Sequence, residues 1–480
     1  MKRILFIVYI SCLAGMTCAQ SLEERYRAFQ QSAQKDYSDF RKQANQKYAR
    51  FLRAAWDYYK IDPAITPPQE RPVPPVPYKT QEDSPAPKPL PYDETTPIQT
   101  QPQPAPIAPV IENDESSIIV QITLYGTKLS FRHPRTHRIS LSNSSNEAFA
   151  HAWEELSTPQ YDNLVYDCLK ARDDYQLCDW AYIQMLKRLA EQIYGSSNEA
   201  VLLSAFLYAQ SGYSMRLAIS ERGKLYMLIG SLYQLYDQRY FELDGTYFYP
   251  MEPVEEGLRI CNGTFDKEQP MTIFINPEQR FALSSATSPE RISEQGISAK
   301  CTINQNALAF YNEYPTGQIG GDCGTRWANY ANAPMEECVR LTLYPALQTA
   351  IRGLSEQQAV AKLLNWVQTA FEYEYDDKVW GHDRALFPSE TLYYPYADCE
   401  DRAILFSRVV RDILGLDVAL LYYPGHLATA VSFNQEVKGD YILLNNRRFV
   451  VCDPTYIGAP VGATMPGMDN QTAKVILLKR

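Results

Sequence analysis

The sequence predicts an α+β protein in which two helix-then-strand units follow a helical N-terminal segment and a proline-rich tether. Three observations carry this. Stretches with apolar residues at three- and four-residue steps are followed twice by short apolar runs of strand character. Ala200 to Gly212 and Ala403 to Gly415 repeat the same spacing, each glycine standing where a helix closes before a strand. Finally, half of the 32 prolines fall between Asp62 and Glu112, dividing a periodic helix from the globular remainder. At 480 residues the chain is long enough for two or three domains, each with its own core.

Residues 1–19 of MKRILFIVYISCLAGMTCAQ pair Lys2 and Arg3 with an apolar run and small residues at the end. They read as a secretory signal cut before Gln20, with a lipoprotein at Cys18 as the alternative. That run is too short to span a bilayer and no later segment is apolar enough, so a periplasmic or secreted protein without a transmembrane segment is expected. Over residues 20–60, Tyr26, Phe29 and Ala33 recur as Tyr37, Phe40, Ala44 and again as Tyr48, Phe51, Ala55. This 11-residue period makes an amphipathic helix with one stripe, which needs a second copy, the body of the protein or a lipid surface to cover it. Self-association, in the manner of a coiled coil, is the expectation, because residues 61–114 form an extended tether.

Residues 115–258 open on the strand-like IIVQITLYG and continue through the helices WAYIQMLKRLAEQIYG and NEAVLLSAFLYAQ to the strand KLYMLIGSLYQLY. Residues 344–480 repeat that order in QAVAKLLNWVQTAFEY, DCEDRAILFSRVVRDIL, DVALLYY, HLATAVSF and RRFVVCDPTY. This placement sets Ser196 where Cys399 lies, Lys224 near His426 and Met251 near Asp453, as in a duplication whose first copy has lost its reactive groups. Residues 259–343 carry no clear domain signal.

A formal charge of −10 argues against nucleic acid, whose phosphates require clustered Lys and Arg. Export permits disulfides, and Cys168 with Cys178 and Cys323 with Cys338 would close short loops. No Cys or His pair has zinc spacing. Cys399, between two acidic residues at the start of a helix, can be a buried structural thiol, half of a disulfide, a metal ligand or a nucleophile. It shares one helix face with Ala403, Phe406, Val410 and Ile413. Asp398 can cap that helix, and its free N–H groups and dipole favour a thiolate and an oxyanion. His426 opens one strand and Asp453 closes the next after a turn at Asn445 and Asn446, so neighbouring strands can bring the two together. Cys, His and Asp in this arrangement supply a nucleophile, a base and an orienting acid.

The segments DCEDRA, PGHLATAV and CDPTY, with the helix LLNWVQTAFEY ahead of them, resemble the transglutaminase-like superfamily of papain-type thiol enzymes. The DCED form is similar to the bacterial transglutaminase-like cysteine peptidases. The resemblance covers about Leu343 to Tyr456. It implies a papain/transglutaminase-like C-terminal domain with a catalytic triad of Cys399 as nucleophile, His426 as base and Asp453 as its partner. Cross-linking members follow the cysteine with Trp where this chain has Glu400, which weakens a direct transfer of cross-linking activity; hydrolysis of a peptide or isopeptide amide is the leading expectation and protein-glutamine acyl transfer the alternative, water access to the thioester deciding between them. Some of the bacterial peptidases bind calcium through acids that correspond to Asp398 and Glu400; otherwise no cofactor is implied. Tyr394, Tyr396 and Gln368 are the candidates to complete an oxyanion hole. His151 lies in an apparent helix, His382 in a surface loop, and Cys452 on the strand face opposite Asp453. A protein or peptide is the expected substrate. The contrasting reading is a non-catalytic envelope scaffold.

Overall fold

The computed structural model of the chain describes residues 35–67, 72–79, 95–99 and 103–479; the expected leader and Tyr26, Phe29 and Ala33 lie outside them. The fold is mixed α+β around two six-stranded sheets that run in the same order. In the first, the strands are Asp57–Tyr59, Leu258–Ile260, Met215–Ile219, Leu225–Ser231, Thr246–Pro250 and Phe241–Leu243. In the second they are Thr95–Thr96, Lys474–Leu477, Asp417–Tyr423, His426–Ser432, Arg447–Cys452 and Tyr441–Leu444. All neighbours are antiparallel except the outermost pair of the second sheet, where Thr95–Thr96 runs parallel to Val475–Ile476. A helix precedes the central hairpin in each: Asn198–Gln210 before the first, Cys399–Leu414 before the second.

Local chemistry explains these ends. Gly212 and Gly415 take φ of +89° and +66°, a left-handed region that glycine enters without a Cβ clash, and each lets its helix turn directly into a strand. Asn445 and Asn446, both at positive φ, make the tight turn of the Tyr441–Cys452 hairpin, as two successive left-handed residues do. Asp398 caps its helix by accepting from the N–H groups of Glu400 and Asp401 at 3.1 and 3.4 Å, and Asp401 reaches back to the Asp398 N–H.

The two halves share their packing. One apolar core runs from Tyr48 and Trp153 through Leu186 and Phe310 to Val360, Phe406 and Ile476. Residues 259–343 contribute to both sides of it, closing the first sheet with Leu258–Ile260 and packing the helix Gly324–Asn332 against the Cys399 helix.

The N-terminal region makes contacts with the body of the protein that its repeat and its prolines do not announce. Residues 35–53 are helical, but the face that is covered is Asn45, Tyr48, Ala49 and Leu52, while Tyr37, Phe40 and Phe51 are exposed. Steps of three and four along the helix bring Tyr48 against Trp153 and Phe265, at 4.5 and 4.7 Å between ring centroids, and the Asn45 amide oxygen accepts from Trp153 Nε1 at 2.9 Å. The helix therefore docks on its own chain. The tether is likewise held wherever it is described. Ile65 bridges to Tyr236, residues 72–79 lie along the second lobe, Thr95–Thr96 edge its sheet, and Ile107 donates to the Gln210 carbonyl. A Cβ at Gly212 would strike the Ala105 carbonyl, so the linker crosses that helix end at close range.

Candidate active site

Strand register brings the acid–base pair together. His426–Ser432 pairs with Arg447–Cys452, Thr429 opposite Cys452, so His426 at one strand's start lies beside Asp453 just past the other's end. His426 Nε2 is 2.8 Å from Asp453 Oδ2, with both residues fully buried. The other oxygen of Asp453 accepts from the N–H groups of Thr455 and Tyr456 at 2.9 and 3.2 Å, which fixes the carboxylate. With a proton on Nε2 directed at Asp453, Nδ1 presents a lone pair. Among the described residues that buried nitrogen has no hydrogen-bond partner.

Cys399 begins its helix and lines one small cavity with His426, Gly425, Trp327, Asp398 and Pro72. No hydrogen bond joins its sulfur to Nδ1; its polar neighbour is the Leu427 N–H. The surroundings oppose the thiolate that the helix dipole favours. Burial first, then the charges of Asp398 and Glu400, push the thiol well above its usual range, and the Leu427 N–H opposes them. A low-dielectric site flanked by carboxylates penalises a second negative charge more than one helix end repays, so Cys399 rests as a neutral thiol.

Arg402, fully buried, ties this helix to its neighbours through the carbonyls of Gln368 and Phe371 at 3.1 and 2.6 Å. Gln368 is not an oxyanion donor: its Nε2 lies 3.0, 2.9 and 3.2 Å from the carbonyls of Asp453, Tyr456 and Ala459. Tyr394 and Tyr396 do not line the cavity, and Tyr396 is exposed. The hydroxyl that sequence reasoning missed is Tyr373, buried without a partner among the described residues and close enough to Cys399 and Asp398 for their charges to raise its pKa beyond what burial does. Its place in FEYEY, just past the helix Glu356–Thr369, was the available signal. Arg326 and Trp327, from the region without a domain signal, were also missed. Trp327 Nε1 donates to Glu400 at 3.0 Å, and Arg326 lies between Asp383 and Glu400.

Asp398 is turned to the helix N–H groups, and the carboxylates gathered near Glu400 are those of Asp376 and Asp383, with Arg326 paired to Asp383 and Glu400. No disulfide joins Cys168 to Cys178 or Cys323 to Cys338, so neither expected pairing forms. Cys452 is core, and His151 and His382 are exposed.

Asp376, Asp398 and Glu400 are each pushed up to about 8, burial being the first cause in every case. Their unfolded values lie near 4. Folding therefore favours the neutral carboxyls: their contribution is complete below about pH 4 and is lost as pH rises to about 8. We expect the midpoint of thermal unfolding to fall from pH 5 to pH 8.5, and Glu400→Gln to flatten that fall. Identical slopes for the two proteins, measured by scanning calorimetry, would remove Glu400 as a source.

The first lobe has a cleft in the corresponding place. Leu217 faces Met227 as Leu420 faces Thr429, which aligns Lys224 with His426; Leu228 faces Pro250 as Ala430 faces Val451, which aligns Glu252, not Met251, with Asp453. Lys224 and Glu252 form an ion pair at 2.6 Å. The Leu225 N–H is taken by Asn198 at 2.8 Å, as the Leu427 N–H is by Cys399, so Asn198 rather than Ser196 makes the contact of the cysteine. An ammonium paired with a carboxylate has no lone pair to act as a base. No family model, curated protein or solved structure matches this chain.

Proposed function

We propose that this chain is an exported thiol hydrolase of papain/transglutaminase-like architecture that cleaves a peptide or isopeptide amide through an acyl-enzyme on Cys399. The observation that carries the reading is the buried His426–Asp453 pair at 2.8 Å, whose free Nδ1 shares a cavity with a cysteine at a helix start. His426 Nδ1 accepts the Sγ proton as sulfur attacks the carbonyl carbon, and Asp453 stabilises the resulting imidazolium. The C–N bond then breaks, Nδ1–H protonates the departing amine, and water, activated by the same nitrogen, releases the acid from the thioester.

Starting from a neutral thiol suits this sequence, because proton transfer accompanies attack and no resting thiolate has to be sustained among the carboxylates. The test is prolonged incubation with p-nitrophenyl acetate followed by acid quench and peptide mass analysis. Acetyl retained on Cys399 in the wild type and absent from His426→Ala is the expected result. Equal labelling of Cys399 in both proteins would reduce Cys399 to an ordinary thiol and favour the scaffold reading.

A further inference from the structure

Residues 72–79, Pro-Val-Pro-Pro-Val-Pro-Tyr-Lys, lie across the two loops that carry the acid–base pair. The Val73 N–H donates to the Gly425 carbonyl at 2.8 Å, one residue ahead of His426. Further on, Tyr78 N–H donates to the Ile457 carbonyl at 2.9 Å and Ile457 N–H to the Val76 carbonyl at 3.1 Å, four residues past Asp453. Between these points Val73, Val76 and Tyr78 pack on Tyr456, Ala459 and Met465, with the Tyr78 and Tyr456 rings 5.4 Å apart edge to face. Pro72 forms part of the wall around Cys399, whose cavity of about 60 Å³ has room for only a few waters.

We propose that the surface beneath residues 72–79 is the polypeptide-binding groove of the Cys399 site, and that this segment is its built-in competitor. The groove recognises an extended chain through main-chain hydrogen bonds at Gly425 and Ile457 and through an apolar seat for alternate side chains, which is strand-like peptide capture. The ligand class is thus an unstructured polypeptide segment rich in small apolar and proline residues. Proline suits the resident segment because its fixed φ lowers the entropy lost on docking, and because its missing N–H is not needed at the intervening positions. With the segment seated, Pro72 closes the cavity and no polypeptide reaches the sulfur. Its displacement, by substrate or by cleavage of the linker, opens the site. The consequence for turnover rests on the reading of Cys399 as nucleophile; the covering of Cys399 does not.

The experiment uses the full chain. Val73→Pro removes the donor to Gly425, and Val76→Asp places a charge in the apolar seat. In each, alkylation of Cys399 by iodoacetamide, followed on its own tryptic peptide, is expected to accelerate by on the order of tenfold, a shift of about 1.4 kcal/mol in the seated-to-open balance. A fluorescent peptide of residues 72–79 is expected to bind Val76→Asp and not the wild type, and to slow alkylation again. Wild-type rates in both variants, or equal peptide binding by wild type and variant, overturn the proposal. Repeating the alkylation in a His426→Ala background separates the two readings: acceleration that persists there upholds the covering even if His426 proves dispensable for acylation.

Discussion

Replacing His426 with alanine is expected to lower hydrolysis of an amide substrate by roughly 10³-fold or more while leaving the fold intact. The magnitude follows from a resting thiol. Burial, with Asp398 and Glu400 beside it, opposes loss of the Cys399 proton, and Nδ1 is the imidazole acceptor that the cavity offers it. His426 carries one hydrogen bond, to Asp453, and its ring stacks on Tyr423 at 6.1 Å. Its loss therefore leaves Asp453 anchored by the Thr455 and Tyr456 N–H groups. Cys399→Ser should be equally inactive. Steady-state turnover of a peptide p-nitroanilide, with the unfolding midpoint as a control, checks both; turnover within tenfold of wild type for His426→Ala would end the triad assignment.

The second large effect is on stability. Gln368→Leu keeps the volume of the side chain but leaves the carbonyls of Asp453, Tyr456 and Ala459 without their shared donor. Buried acceptors stripped of a partner cost about 1–3 kcal/mol each; because one amide serves all three and each keeps a second lone pair, we expect a loss of about 3 kcal/mol in total. The loop after Asp453 is also the floor of the apolar seat for residues 72–79, so its loosening should disturb the acid and the groove together. Denaturant unfolding measures the first effect. If Gln368 instead donated to an oxyanion, the substitution would reduce turnover and leave stability unchanged, which is the outcome that would refute the structural role.

The elements near Cys399 were legible because their signals are local. The helix Cys399–Leu414 announces itself through Asp398, a single apolar face and Gly415; the Tyr441–Cys452 hairpin does so through Asn445–Asn446; and His426 and Asp453 stand at strand ends whose pairing follows from that turn. Hence the pairing of acid and base is legible in the chain itself. The sequence also marked the helical segment near the N-terminus and the common order of the two halves.

Other features depended on contacts between residues far apart in the chain, and no local pattern encodes them. Which face of the helix over 35–53 is covered depended on the position of Trp153 and Phe265, so Tyr48 of the visible repeat packs together with Leu52 from outside it, while Tyr37, Phe40 and Phe51 stay exposed. The alignment of Glu252 with Asp453 needed the hydrogen-bond ladders, since a slip of one residue moves a side chain to the opposite face. The state of Cys399 was set by a balance that the helix start alone does not contain: the dipole is a property of the local backbone, whereas desolvation and the acidic neighbourhood arise when Arg326, Trp327, Asp383 and Pro72 close around it. Backbone propensity and turn chemistry act over a few residues and are written in the chain; burial and electrostatic environment are sums over neighbours, and only the folded arrangement determines which neighbours those are.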